Sequence, residues 1–285
     1  MSILVISFDG LDKDLIEEYK LENIIQEEFG TIDNDTDIKV KVTSELFASF
    51  ITGETWESHG VIGLNRYVSD KVQKIESFNK FSSFRKFSGL RKKLYKELPF
   101  VNSEMRNVNK EDLPLPTIFD KISKSKAIGV RSYSKGYNDG IVKTLEHSGV
   151  KEAEEELDRN TEMKKRELYE SLSRDYQLIM AHFHKPDYIH HWYWEVDKMD
   201  KVEETYREID EFAGEILEKA EENDFDTVIF MSDHGLPDVE NGGHNENAFY
   251  SCNHELFGDE TPHITDFHDK ILSNIDSVDL EEVDF

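Results

Sequence analysis

Cysteine is all but missing. Cys252 stands alone in 285 residues, which rules out a disulfide within the chain and fits a reducing compartment. Long apolar runs are missing too, since none approaches the roughly 18 residues that a membrane-spanning helix needs. Met1 leads straight into the apolar Ile3–Ile6 with no basic leader and no small-residue cleavage site, so no secretory signal is read and a soluble, cytoplasmic protein is expected. Internal repeats and low-complexity tracts are absent. Positive charge is scarce: 34 Lys and Arg face 61 Asp and Glu, a formal charge of −27. Such a surface repels nucleic acid and anionic membranes over most of its area. The 25 lysines against 9 arginines argue against adaptation to high salt as the reason, so the charge speaks to solubility more than to function.

What is present suffices for a globular enzyme-sized core. Hydrophobic residues make up 37% and aromatics 11%, and the length suits one large α/β domain, or one domain carrying an inserted cap. Strand and helix patterns alternate. Ile3–Phe8 reads as a buried strand ended by Asp9-Gly10, residues 38–42 (IKVKV) as a second strand, and residues 45–52 as a short helix stopped by Gly53. Residues 116–124 suggest a helix and 127–130 a strand; 151–175 a helix and 176–182 a strand; 202–222 a long helix and 226–231 a strand. That order predicts an α/β fold with a mostly parallel central sheet and helices on both faces. One stretch breaks the pattern. Between Lys71 and Lys110 there are eleven basic and three acidic residues, and Phe78, Phe81, Phe84 and Phe87 recur every third position ahead of Leu90, Leu94 and Leu98. We read residues 67–110 as a basic, Phe-rich helical cap inserted into a catalytic domain of residues 1–66 and 111–285.

The residues that could carry chemistry cluster just past the expected strands, the edge where ligand sites assemble in open parallel sheets. Asp9 follows the first; alone it reads equally as a turn or N-cap residue. Asp187 and His191, four apart, share one face of a helical turn and can reach one cation, with surface hydrogen bonding as the bland alternative. Asp233 and His234 follow the strand TVIFM; both can face one point only if the backbone twists sharply, which Gly235 permits. His244 sits alone in a loop. Thr43 opens a helix, where a hydroxyl meets free N–H groups and the positive end of the helix dipole; a plain N-cap is the alternative, and Ser44 competes for that role.

Taken together these residues resemble the alkaline phosphatase superfamily, in particular its type I phosphodiesterase/nucleotide pyrophosphatase branch. Thr43 is followed by Gly53 at +10 and by His59-Gly60 at +16, as the nucleophile of that branch is followed by its TG and HG dipeptides. Asp187 and His191 match its Asp-x-x-x-His segment, Asp233-His234-Gly235 its DHG, and His244 its last isolated histidine. The resemblance implies that Asp187, His191 and His244 hold one divalent metal ion. Asp9, Asp233, His234 and the Thr43 hydroxyl would hold a second. Zinc is expected first, with manganese or iron possible. It further implies in-line attack by Thr43 on a small-molecule phosphate ester, giving a phosphothreonine. The chain departs from the pattern at two places. No proline stands beside Thr43, and position +21, an asparagine in nucleotide pyrophosphatases, is Leu64, with Asn65 next to it.

The expectation is therefore a metal-dependent hydrolase of phosphodiester or pyrophosphate bonds. The same core would serve a phosphomonoesterase, for which Arg66 is the nearest source of extra positive charge, or a phospho-group transferase. A sulfatase lacks its Cys/Ser-x-Pro-x-Arg signature near residue 43, and a non-catalytic binding protein would be expected to have lost ligands. Ser44, His59, Asn65 and Arg66 are further candidates for supporting or substrate-holding roles. The basic stretch 71–110 could touch an anionic surface or steer an anionic substrate, though solvated lysines over packed phenylalanines is the simpler reading. The oligomeric state is left open.

Overall fold

The computed structural model describes residues 1–38, 41–67, 105–135, 140–194, 198–238 and 243–279. In chain order its strands are β1 (Ile3–Phe8), β2 (Glu28–Thr31), β3 (Asn65–Tyr67), β4 (Met105–Asn107), β5 (Ser125–Ile128), β6 (Leu178–Phe183), β7 (Thr227–Met231), β8 (Pro237–Asp238), β9 (Gly243–His244) and β10 (Phe249–Cys252). Its helices are α1 (Lys13–Tyr19), α2 (Thr43–Thr52), α3 (Trp56–His59), α4 (Ile118–Lys121), α5 (Ile141–Ser148), α6 (Val150–Leu172), α7 (Lys185–Ile189), α8 (Met199–Glu222) and α9 (Asp266–Asp279).

Among the described residues the central sheet has six strands in the order β2-β10-β7-β1-β6-β5. β1 runs parallel to both β6 and β7, and β5 parallel to β6, while β10 is antiparallel to β7 and to β2. Every residue of β1, β6 and β7 is buried, as an interior parallel strand requires when both faces are covered. Side chains alternate between two cores. Ile3, Val5, Leu178, Met180, Ile229 and Met231 pack with Phe47, Phe50, Ile118 and Phe267 from α2, α4 and α9. Leu4, Ile6, Phe8, Ile179, Val228 and Phe230 pack with Ile16, Leu168, Tyr206 and Phe212 from α1, α6 and α8. The mostly parallel, three-layer α/β fold expected from the strand–helix alternation is what forms.

One expectation needs correction. Among the described residues of 38–42, Ile38, Lys41 and Val42 lie in no strand, so IKVKV is a poor guide here; Lys39 and Val40 lie outside the described residues. The sheet edge is instead made by β2, a half-buried EFGT segment whose short, mixed sequence carries no clear strand pattern. The helical cap lies outside the described residues over 68–104. Its flanks meet: β3 and β4 pair antiparallel, with Asn65 opposite Asn107.

Candidate metal centre

Strand register decides which side chains can meet. Ser7 of β1 lies level with His182 of β6 and with Met231 of β7. Two residues further on, just beyond the carboxyl ends, Asp9, His184 and Asp233 stand side by side. All three share the parity of Val5 and Ile229, so they belong to the face that α2 covers. β1 is also where the chain's path changes sides, since β5 and β6 lie to one side of it and β7 and β10 to the other.

α2 delivers Thr43 to that edge. The N-cap is Val42, in extended conformation and with no side-chain capping bond, so neither Thr43 nor Ser44 serves as the cap. Thr43 is the first helical residue and its hydroxyl is turned to the cluster: it donates to Asp9 Oδ1 at 3.3 Å and lies 3.2 Å from His234 Nε2. Ser44 is buried too, and its carbonyl accepts from Ser132 Oγ at 2.6 Å, pinning the first turn to the loop after β5. Gly53, in the left-handed conformation, closes the helix as its sequence suggested.

Around Thr43 the acids and imidazoles form two adjoining sets. In the inner one, His234 Nε2 lies 3.3 Å from both Asp9 Oδ1 and Asp233 Oδ2. The other ring nitrogen of His234 donates to the Gly235 carbonyl at 2.9 Å, which turns Nε2 toward the carboxylates. In the outer set, Asp187 Oδ1 lies 3.4 Å from His191 Nε2 and 3.2 Å from His244 Nε2, and the two imidazole nitrogens are 3.1 Å apart. The rings of His234 and His244 stack at 3.7 Å and join the sets. α7 gives way after Ile189 to a π-helical turn over His190–Trp194, which places His191 beside Asp187.

The electrostatics are those of a site with surplus negative potential. Burial alone would raise Asp9, but His182 and His234 hold it well below the usual carboxylate range. Burial lifts Asp233 to about 7, with the Asp9 charge adding to the rise. Burial also opposes the charged form of His234, yet Asp233 and Asp9 push it up to about 10. His191 is raised by its contact with Asp187. Asp187 Oδ1 and Asp233 Oδ2 are buried with no hydrogen-bond partner, although ring nitrogens approach within 3.4 Å. Carboxylate oxygens and imidazole nitrogens converging at this spacing are a donor set that suits divalent cations. Asp187, His234 and His244 form one set able to hold an ion, and Asp9, Asp233 and His234 another.

All seven residues singled out as metal or nucleophile candidates are thus brought together. The secondary candidates separate. His59 accepts from the Val61 N–H at its Nδ1 and so directs Nε2–H to Ser49 Oγ, 3.1 Å away, a tie between α3 and α2. The side chains of Asn65 and Arg66 lie outside the described residues. The role expected of Gly235 also changes. Its φ is not in the left-handed region; its lack of a side chain matters because a Cβ would collide with Asn245 Oδ1 and Asp12 Oδ2. Asp12, unremarked in the sequence, caps α1 and accepts from Asn245 and from the Leu236 N–H, so it braces the turn that carries His234. His182, His184 and Lys164 were missed as well. A His-x-His pair at a strand end puts both rings on one face, and that was the available signal.

A family model described as type I phosphodiesterase/nucleotide pyrophosphatase matches residues 3–260. No curated protein matches. Among solved structures, murine ectonucleotide pyrophosphatase/phosphodiesterase 5 is similar at 13% identity with a TM-score of 0.46, and its inactive variant in complex with AMP at 13% and 0.48. The human counterpart is similar at 11% and 0.44. In each case 82% of this chain is covered but 57% of the other, so the chain spans little more than half the length of those proteins.

Proposed function

The chain belongs to the type I phosphodiesterase/nucleotide pyrophosphatase family, and on that footing we propose that it hydrolyses a phosphodiester or pyrophosphate bond of a small molecule, with Thr43 as nucleophile. One observation carries the choice of Thr43. A buried hydroxyl at the first position of α2 caps nothing and is held instead between Asp9 and His234. Asp9 accepts the hydroxyl hydrogen and aligns the oxygen. The unpaired N–H groups at the start of α2 face an incoming phosphoryl oxygen. In the first step the Thr43 hydroxyl releases its proton to solvent, the Oγ–P bond forms as the P–O bond to the leaving group breaks, and the departing oxygen takes up a proton. In the second, water attacks phosphorus and gives up a proton, the Oγ–P bond breaks, Thr43 Oγ is reprotonated and phosphate or a monoester leaves.

Two divalent ions fit the donor atoms. Asp9, Asp233, His234 and the Thr43 oxygen would hold one, and Asp187, His191 and His244 the other. Zinc suits this nitrogen and oxygen mixture, with manganese or iron as alternatives. When bound, such ions supply positive charge to the equatorial phosphoryl oxygens and favour the ionised hydroxyl. The reading is tested with a panel of aryl monoester, diester, phosphonate and sulfate esters, assayed with zinc and with manganese. Turnover of diesters that Thr43→Ala abolishes, with the retained half of the diester recovered as an ester on Thr43 after an acid quench, is the expected result. Full activity in Thr43→Ala would move the chemistry to water or to Ser44. Faster turnover of the monoester than of any diester would favour the phosphatase reading.

A further inference from the structure

Behind Asp9, on the side away from Thr43, lies a buried polar group that the hydrolytic reading does not use. His182 and His184 are 0% and 3% exposed, and their Nε2 atoms stand 3.4 and 3.9 Å from Asp9 Oδ2. Neither Nε2 has a hydrogen-bond partner. Lys164 of α6, 1% exposed, ends here: its Nζ donates to the His182 carbonyl at 2.9 Å and lies 3.0 Å from His184 Nδ1. Its stem passes Gly129, just beyond β5, where a Cβ would stand 2.7 Å from Lys164 Cε.

Asp9, His182 and His184 lie close enough together to suggest a third ion. The lysine argues against it. As an ammonium, with three hydrogens and no lone pair, the Lys164 nitrogen donates to the His182 carbonyl and can meet His184 Nδ1 only as a donor too. His184 Nδ1 is therefore an acceptor, and in a neutral ring the hydrogen sits on Nε2, the atom turned to Asp9. A nitrogen that carries hydrogen offers no lone pair to a metal, and Lys164 already supplies the local positive charge.

We infer that Lys164 and His184 are positioning residues for Asp9: the lysine sets the His184 tautomer, and the Nε2–H dipole holds Oδ2 so that Oδ1 stays toward Thr43 and His234. His182 lies nearer to the same oxygen and reinforces the hold, its Nδ1 being 3.1 Å from Ser7 Oγ. At 3.9 Å the His184 contact is a charge–dipole interaction and not a hydrogen bond. Its value lies in orientation, as with the outer partners of metal-ligating groups, whose loss costs about ten- to hundred-fold in metal affinity.

The inference rests on Asp9 being a metal ligand, so the experiment reads the two claims separately. Zinc binding to the full chain is titrated against a competing chelator for wild type, Lys164→Met, His184→Gln and His184→Leu. In parallel, nitrogen-15 NMR of the histidine rings records the tautomer, with and without zinc. Wild type is expected to bind two equivalents. Lys164→Met and His184→Leu should weaken one of them about ten- to hundred-fold and leave the other unchanged. His184→Gln, which keeps an N–H near the Nε2 position, should recover most of the loss. His184 should carry its hydrogen on Nε2 in wild type and lose that preference in Lys164→Met. Wild-type affinity in Lys164→Met and His184→Leu, a ring protonated on Nδ1 in wild type, or a third zinc equivalent that shifts the His184 signal would each overturn the inference. Wild type that binds no zinc would instead sink the metal reading, while the tautomer measurement, which needs no metal and no variant, still stands or falls on its own.

Discussion

The two halves of the candidate site are built differently. In the inner half, Asp9, Asp233 and His234 have side chains no more than 2% exposed, and they sit on the ends of β1 and β7, neighbours in the sheet. In the outer half, Asp187 is 17% exposed, His244 13% and His191 44%. These three are carried by a short helix, a π-helical turn and a two-residue strand. Groups fixed by strand ends and brace contacts hold their geometry without help, whereas groups on short irregular segments gain theirs from what they bind. On the proposed reading, alignment of Thr43 falls to the inner half, and exchange of ion, substrate and product to the outer.

The hardest way to break that contrast is to change one residue in each half. Asp233→Asn is expected to lower kcat by ~10³-fold or more, with no rescue by excess zinc, because it removes a ligand from the set that aligns Thr43. His191→Gln should lose about ten- to hundred-fold and regain much of it as zinc is raised. Equal, unrescuable losses would mean that the halves act as one unit. A finer test is metal release after addition of a chelator. Two phases are expected, and His191→Gln should accelerate only the faster.

What could be read in the sequence divides along a similar line. β1, β6 and β7 are continuous apolar runs that the core demands, and Asp9, Asp187 and Asp233 follow their ends by one, four and two residues, so all three candidates were legible from local pattern. Helix α2 was legible through its apolar spacing and Gly53, and the fixed offsets from Thr43 pointed to the nucleophile position before any geometry was known. Lys164 was not. It lies in a strongly charged helix where one more lysine reads as solvated surface, and only the meeting of α6 with the ends of β5 and β6 buries it. Residues 38–42 failed in the opposite direction. A β-branched alternation met a place where the chain serves as the lead-in to α2, and tertiary context overrode propensity.

Below Thr43, the inner half leans on one more buried acid, and it supplies the gentlest test. Glu45 is fully buried on α2; Thr36 Oγ1 and Ser49 Oγ each donate to it at 3.0 Å, and Ser49 in turn accepts from His59. These hydrogen bonds tie the helix bearing Thr43 to α3 through the histidine of the His59-Gly60 pair. Burial lifts Glu45 from its ordinary 4.5 to about 7 despite those donors. For an acid whose folded pKa is raised, the stabilisation is complete below 4.5 and is lost as pH climbs through 7, since the unfolded chain releases the proton more readily. Glu45→Gln should therefore match wild type in denaturant unfolding near pH 4.5 and exceed it by about 3 kcal/mol at pH 8. Its unfolding free energy should lose the downward slope that wild type shows between those values. A slope that survives the substitution would place the titration on another group, and would leave the rigidity of the inner half to the sheet alone.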